Sequence, residues 1–246
     1  MRRGRTGGLV AGGALVVGGV VHSVPALAPV VPPLGRALGV VLREEGLEGV
    51  ALTFDDGPHP RGTPAVLELL REVGAKATFF LVGEQVERRP ALVAEIVAAG
   101  HRVEIHSHRH RTQLRQTARA IRADAERARA AIEEAGGQAV ADFRPPNGIF
   151  SASGLRAVRR RGWRPVLWSR WGRDWDAGAT AESIAHRSTA DVRAGDVVLL
   201  HDADFYSAPD SWARTVAALP AILEALESRG LSSRLLRRGG AATTVH

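Results

Sequence analysis

The sequence predicts an α/β fold with parallel strands at its centre and helices packed outside them. Short apolar runs alternate with segments of helical spacing between Gly49 and Arg229, the rhythm that βα units produce. Polar clusters follow four of these apolar regions: Asp55-Asp56, residues 106–110, Arg144 and His201-Asp202. In a parallel barrel the carboxyl ends of the strands converge on one face, where active sites lie. We therefore expect one site built from several strand ends.

The length and composition fit one large domain with a substantial core. The chain has 246 residues, 45% of them hydrophobic, and a formal net charge of +7. The arginines are spread along the helical segments, and aromatic residues make up only 5%. Nucleic-acid interfaces usually cluster their charge and interleave aromatic residues, so we expect no nucleic-acid partner. The absence of cysteine excludes disulfides, thiol catalysis and cysteine-ligated metal.

The predicted elements follow from the spacing of apolar residues. Short apolar runs predict strands over residues 50–54, 77–82, 165–168 and 196–200, with a further short one at Phe143. Residues 102–105 are also predicted to be a strand, although this segment is short and half polar. Apolar residues three and four apart predict helices over residues 63–73, 90–99, 112–135, 151–161, 181–192 and 212–229. In the longest helix Ile121, Ala125 and Ile132 lie on the core side, so its arginines are expected to face solvent.

The first 31 residues have the layout of a signal peptide or of an N-terminal membrane anchor. Three arginines within residues 2–5 precede an apolar run from Leu9 to Val21. Ala-Leu-Ala at residues 26–28 is a candidate cleavage site, whereas an uncleaved run would remain as an anchor. Either form contacts the membrane at least transiently. We expect a protein exported across the cytoplasmic membrane, secreted or anchored facing outward.

The remaining boundaries follow from composition. Pro32-Pro33 opens a mixed stretch over residues 32–47 that is predicted to be a linker. A single catalytic domain is predicted over residues 48–236. The Gly- and Thr-rich end, residues 237–246, is expected to be disordered.

Three histidines in five residues predict a metal site. If residues 106–110 are extended, His106, His108 and His110 point the same way and form a three-histidine site. If the chain turns helically after Ile105, His106 and His110 form an i, i+4 pair and His108 points elsewhere. Both interpretations give ligands that a catalytic divalent ion accepts, with positions left open for water and substrate.

Two adjacent carboxylates and a histidine at a strand end supply acid–base groups. If one carboxylate of Asp55-Asp56 binds the cation, its neighbour can accept a proton from water, provided that another cation compensates its charge. Arg144, just after another strand, is a candidate for that cation. His201, at the end of an apolar run, can protonate a leaving group. Taken alone, Asp55-Asp56-Gly57-Pro58 also fits an ordinary turn.

Five motifs resemble those of the NodB-like polysaccharide deacetylases, carbohydrate esterase family four, and occur in the family's order. They are TFDDG at residues 53–57, HSHRH at 106–110, RPPNG at 144–148, DW at 174–175 and LLHD at 199–202. The resemblance implies a distorted (β/α) barrel with fewer than eight regular units. It also implies one divalent metal ion, with zinc expected and cobalt, nickel or manganese compatible with the same ligands.

The resemblance further implies a role for each matching residue. Asp56, His106 and His110 would bind the metal, which leaves His108 outside the ligand set. Asp55 would be the general base and Arg144 its partner.

In the other motifs, His201 would be the general acid and Asp174 would adjust its protonation. The main chain near Asn147 would bind the oxyanion, and Trp175 would line the substrate site. The chain departs from the family at Asn147, where tyrosine is common, and at Glu104, where a small residue is common.

The implied activity is removal of N-acetyl groups from an N-acetylated glycan of the cell envelope, peptidoglycan-like or chitin-like. Two alternatives use the same residues differently. One is an amidase or imidase acting on a small C–N compound. The other is a non-catalytic envelope protein that binds glycans.

Overall fold

The computed structural model describes Gly19, residues 21–136 and residues 140–237. Its centre is one curled sheet in which every ladder between strands is parallel. In chain order the strands are β1 (Val50–Asp55), β2 (Thr78–Leu81), β3 (Arg102–Ile105), β4 (Asp142–Phe143), β5 (Arg164–Pro165), β6 (Arg170–Trp171), β7 (Val197–His201) and β8 (Ser233–Arg234). The spatial order is β5-β4-β3-β2-β1-β7-β6, with β8 beside the start of β1.

Helices connect the strands and cover the sheet. They are α1 (Pro32–Ala37), α2 (Gly62–Glu72), α3 (Gly83–Arg88), α4 (Pro90–Ala98), α5 (Ala118–Gly136), α6 (Ala152–Arg160), α7 (Ala181–Thr189) and α8 (Ser211–Glu227). The apolar side of α5, which includes Ile121, Ala125 and Ile132, is buried as its spacing predicts. Parallel strands covered by helices confirm the predicted distorted (β/α) barrel in a single domain.

The register of β1 places the site. All six residues of β1 are buried, as expected for a strand with neighbours on both edges and helices outside. Asp55 pairs in register with Phe80 of β2 and with His201 of β7. The last residue of β1 therefore lies beside the last residue of β7, at the carboxyl edge of the sheet.

Several element boundaries differ from those predicted. The run 165–168 is not one strand: β5 ends at Pro165, and β6 begins at Arg170. The helix predicted from residue 112 begins at Ala118, because Gln113–Arg115 forms a separate 3₁₀ turn. Helix α3 and strand β8 have no counterpart in the prediction, since both are short and mostly polar.

Residues 32–47 pack against the domain, which corrects the predicted linker. They contain α1, and Val41 and Arg43 form bridges with Val166 and Asp196. Val40 and Leu42 are buried in the main core. The two prolines begin α1, and the buried apolar residues hold the stretch against the core.

The termini are described only in part. Residues 1–18 and 20 of the expected targeting segment lie outside the described residues, as do residues 238–246 of the expected tail. Within residues 19, 21–136 and 140–237, no helix combines the length and hydrophobicity that crossing a membrane requires.

Candidate active site

The two aspartates at the end of β1 have different surroundings. Asp55 is the last residue of the strand, and Asp56 leaves it with a φ of 77°. Both side chains are nearly inaccessible to solvent. Gly57 follows, and a Cβ at this position would lie 2.6 Å from Oδ2 of Asp202, so the close approach requires glycine here.

Two histidines converge on one oxygen of Asp56. The Nε2 atoms of His106 and His110 each lie 3.3 Å from Asp56 Oδ1. One ligand atom from each of the three residues falls within 4.8 Å of the other two. His106 follows β3, and His110 lies in the loop beyond it, so the cluster joins the ends of β1 and β3, which flank β2 in the sheet.

This cluster fits a divalent metal ion. Asp56 Oδ1 is buried and has no hydrogen-bond partner within the described part of the chain. Burial raises the pKa of Asp56, but contact with His106 and the charges of nearby histidines outweigh burial and lower it to about 2. Burial lowers the pKa of His110 to about 4, so its imidazole is neutral at neutral pH. One carboxylate and two neutral imidazoles are a suitable ligand set for zinc and related ions.

His108 takes no part in the cluster, so the predicted three-histidine alternative is wrong. Ser107 adopts a φ of 67°, which turns the chain between His106 and His108. The His108 main-chain N–H donates to Asp124 Oδ2 at 2.7 Å, and its Nε2 lies 3.9 Å from Glu87. The segment is neither an extended strand nor a helix, and its turn separates the His108 ring from the rings of His106 and His110.

Arg144 holds the Asp55 carboxylate in place. Its Nη1 donates to Asp55 Oδ1 at 2.6 Å and to Thr53 Oγ1 at 2.9 Å, and Nη2 donates to the Leu167 carbonyl at 2.9 Å. The guanidinium also lies 4.0 Å from the centroid of the Phe80 ring. Arg144 is fully buried, so the Asp55 charge is compensated by a fixed cation that solvent does not screen.

His201 is oriented by Asp174. The His201 Nδ1 lies 2.9 Å from Asp174 Oδ1, and the His201 main-chain N–H donates to Asp174 Oδ2 at 2.6 Å. Thr215 Oγ1 also donates to Asp174 Oδ2, at 2.7 Å. Burial lowers the pKa of His201, but Asp174, with smaller contributions from Asp56 and Asp55, outweighs burial and raises it to about 10. The imidazolium therefore carries its proton at neutral pH.

The loop after β4 brings Asn147 to the rim of the site. Pro146–Gly148 forms a 3₁₀ turn in which Asn147 has a φ of 58° and is exposed to solvent. Asparagine tolerates this left-handed conformation better than most residues. Gly148 has a φ of 69° and packs against the Trp168 ring, which leaves no room for a side chain.

A cavity of about 250 Å³ connects the predicted residues. Its lining contains the polar set Asp55, Asp56, His106, His110, Asn147 and His201. Trp168, Trp171 and Trp175 form one wall, and the Trp175 ring meets His201 edge-on at 5.5 Å between centroids. The structure thus brings together all the predicted site residues that face the cavity, with Arg144 and Asp174 directly behind them.

Tyr206 is a cavity residue that the sequence prediction did not name. Its ring stacks on His110 with centroids 4.1 Å apart and planes 9° from parallel. The Tyr206 hydroxyl donates to Glu84 Oε1 at 2.6 Å and accepts from Gln85 Nε2 at 3.1 Å. The only sequence signal was the unusually polar and aromatic stretch after His201. That stretch lies far along the chain from the histidine cluster, so the sequence did not reveal the contact.

Glu104, the other departure from the family pattern, lies away from the cavity. It pairs with Arg102 and accepts the main-chain N–H groups of Ala141 and Asp142 at 2.8 and 2.7 Å. Burial raises its pKa to about 7, with the Asp142 charge as the next contribution. Glu104 therefore belongs to an internal charge network and does not contact the substrate site.

Comparisons with known proteins agree with this geometry. The family model for polysaccharide deacetylase matches residues 43–166. A peptidoglycan-N-acetylglucosamine deacetylase of Bacillus cereus is 36% identical over 74% of this chain and 83% of its own length. A chitooligosaccharide deacetylase of Azorhizobium caulinodans is 33% identical over 81% of this chain and 96% of its own.

A solved structure agrees as well. A family 4 carbohydrate esterase from Streptomyces lividans, in complex with acetate, superposes with a TM-score of 0.70 at 32% identity. The match covers 78% of this chain and 95% of that one.

The fold and these matches define a hydrolase built on a distorted (β/α) barrel and active on carbohydrates. More narrowly, the chain belongs to the polysaccharide deacetylase family, because the family model spans half of it and relatives above 30% identity span roughly three quarters of it or more. The resemblance noted from five sequence motifs is confirmed.

Proposed function

We propose that the protein removes N-acetyl groups from an N-acetylated glycan of the cell envelope, peptidoglycan-like or chitin-like. The observation that carries this proposal is the division between Asp55 and Asp56. One buried carboxylate faces a fixed arginine and the other faces two imidazoles, so the pair supplies a base and a metal ligand at adjacent positions. The named activities of the bacterial relatives support the same reaction.

Asp56, His106 and His110 would hold the metal, with zinc as the expected ion. When bound, a divalent cation polarises the acetamide carbonyl and lowers the pKa of the attacking water. An imidazole ligand adds no charge and a carboxylate ligand adds one negative charge, so a bound divalent ion would keep a net positive charge toward the substrate. Cobalt, nickel and manganese accept the same ligands.

Asp55 would act as the general base. It lines the cavity and its Oδ1 is engaged by Arg144, which leaves Oδ2 as the oxygen available to water. A carboxylate that is paired with a buried guanidinium can take a proton from water as the oxygen–carbon bond forms. The main-chain N–H at Asn147 would donate to the carbonyl oxygen as negative charge develops on it.

His201 would act as the general acid. Its Nδ1 is engaged by Asp174, so Nε2 is the nitrogen available to the cavity. Transfer of the Nε2 proton to the amide nitrogen allows the carbon–nitrogen bond to break and the amine to leave. Trp175, nearly perpendicular to the His201 ring, would provide an apolar surface for the sugar.

The predicted targeting segment extends the proposal to location. A basic start and the apolar run from Leu9 to Val21 support export across the cytoplasmic membrane, with the N-terminus in contact with the bilayer at least transiently. Protease treatment of intact cells tests this: an exported catalytic domain is degraded while a cytoplasmic marker survives.

A substrate panel tests the reaction. The purified protein, loaded in turn with zinc, cobalt, nickel and manganese, is incubated with N-acetylglucosamine oligomers, peptidoglycan, an O-acetylated xylan and a cyclic imide. The proposal predicts acetate release and new free amines from an N-acetylated glycan. Hydrolysis of the imide alone would replace the proposal with the amidase alternative. No turnover by a metal-loaded protein that binds glycan would favour the non-catalytic one.

A further inference from the structure

The exposed large apolar side chains of the domain are concentrated at its N-terminal end. In the described ranges there are five: Val21, Leu27, Val30, Val31 and Val73. Four of them lie within eleven residues, from the last residue of the apolar run that begins at Leu9 to Val31. Scattered exposed apolar residues are normal, but a local concentration marks an interaction surface.

These residues belong to the folded domain. Ala28, between them, is fully buried in the main core. The 3₁₀ turn Val24–Leu27 contacts α1 and α6, and Pro25 shares a shallow cleft with Ala152 and Arg156. The apolar side chains are therefore held at fixed positions next to α6.

Unpaired arginines surround the same region. Arg36 in α1 and Arg156, Arg159 and Arg160 in α6 are exposed, and none has a carboxylate within 4 Å among the residues that the structure describes. Gly39, just after α1, lies close to the Arg159 guanidinium of α6, so the end of α1 lies next to α6. Neither residues 21–43 nor residues 152–164 contain an aspartate or glutamate.

We propose that this N-terminal flank, formed by residues 21–36 and the exposed arginines of α6, docks on the surface of an anionic lipid bilayer. Proteins that bind a membrane surface typically insert apolar side chains into the interface and surround them with cations that face the lipid phosphates. The preceding apolar run brings the flank to the bilayer. Exposed valine and leucine side chains favour lipid over an anionic wall polymer, which offers them no apolar environment. No residue of the flank lines the active-site cavity.

The absence of cysteine allows a direct test on the full chain. Leu27→Cys, Val30→Cys and Val73→Cys are labelled singly with an environment-sensitive dye. Val73 is the matched control, because it is 60% exposed against 62% for Val30 and lies beyond the end of α2, away from the flank. The proteins are reconstituted into vesicles of phosphatidylcholine with roughly a third phosphatidylglycerol, an anionic surface that attracts basic segments, and the vesicles carry a lipid-attached quencher.

The expected result is blue-shifted emission and clearly stronger quenching, about three-fold or more, at positions 27 and 30 than at 73, as insertion at the interface requires. Replacing Arg159 and Arg160 by glutamine should lower the ratio of docked to undocked domain by about 25-fold, since each arginine near an anionic surface contributes a factor of about five. Far-ultraviolet circular dichroism and the melting temperature verify that these surface variants are folded.

Two results would overturn the inference. Equal quenching at positions 30 and 73 in chains retained by the vesicles would mean that the domain does not touch the bilayer. A change in the emission of the dye at position 30 on addition of soluble poly(glycerol phosphate), without quenching by the lipid-attached quencher, would assign the flank to a wall polymer instead.

Discussion

The guanidinium of Arg144 donates a hydrogen bond of 2.6 Å to Asp55, and both side chains are buried, with Asp55 at the carboxyl end of β1 where it lines the cavity. Asp56, one residue further on, faces the Nε2 atoms of His106 and His110 instead. The guanidinium compensates the charge of Asp55, and a metal ion held by Asp56 would compensate the charge of the second carboxylate. This arrangement supports the proposed division between a proton acceptor, Asp55, and a metal ligand, Asp56.

Removing Arg144 should destabilise the fold strongly. Arg144→Met leaves Asp55 buried without its cation, and breaking a buried pair on one side costs about 3–5 kcal/mol. Urea unfolding gives the change in free energy. Arg127→Met is the matched control: Arg127 pairs with Glu87 on the surface, so the same substitution should cost less than about 1 kcal/mol. Similar values for the two variants would contradict a tightly coupled Arg144–Asp55 pair.

The alkaline limit of activity should depend on Asp174. The His201 pKa is raised to about 10 against the effect of burial, and Asp174 is the largest contributor to that rise. A general acid must be protonated, so activity falls as the pH rises through this pKa. Asp174→Asn lowers the pKa and should move the alkaline limb to lower pH. A bound cation opposes the influence of Asp55 and Asp56 but leaves the Asp174 contact intact.

The pH–rate profile of kcat/KM measures this shift. Asp176→Asn removes the same charge two residues away, from a partly exposed side chain that pairs with Arg173. It should leave the limb in place. If Asp174→Asn retains activity and the alkaline limb of its pH–rate profile does not move, His201 is not the general acid.

Tyr206 should support metal binding through the His110 ring. Tyr206→Ala removes the stacked partner and frees the imidazole to rotate, and loss of such a supporting contact typically lowers metal affinity about 10- to 100-fold. Tyr206→Phe keeps the ring and loses only the hydroxyl contacts with Glu84 and Gln85. Competition with a chromogenic chelator gives both affinities. Equal loss in the two variants would mean that the hydroxyl, rather than stacking, matters.

Metal removal should also lower stability. A ligand that binds only the folded state at about 1,000 times its Kd contributes about 4 kcal/mol, so chelation should lower the melting temperature and metal addition should restore it. His106→Ala should melt at the same temperature with and without chelator. A chelator effect of equal size in both proteins would place the stabilising metal elsewhere.

Most of the predicted fold and site came from short motifs at the ends of strands. Polar residues follow the predicted strands at four places: Asp55, His106, Arg144 and His201. The carboxyl ends of parallel strands lie at one edge of the sheet, whatever the detailed packing. The fold class and the polar residues at the strand ends followed from that regularity. The choice between two and three histidine ligands did not, because it depends on a left-handed turn at Ser107 that local sequence leaves open.

Other features depend on contacts between distant segments. Tyr206 meets His110 from a loop beyond β7, and no periodic pattern connects the two residues. Residues 32–47 were predicted to be a linker because of Pro32-Pro33, yet Val40 and Leu42 are buried by parts of the core far along the chain. Tertiary burial overrides local composition at both places.

Metal content and acetate release, measured together in Asp55→Asn and Asp56→Asn, test the division of roles between the two aspartates most directly. Asp55→Asn should retain its metal ion and lose at least about 100-fold in kcat, the usual contribution of a general base. Asp56→Asn should lose the metal itself. Full activity in Asp55→Asn, or loss of its metal with retention in Asp56→Asn, would contradict the account.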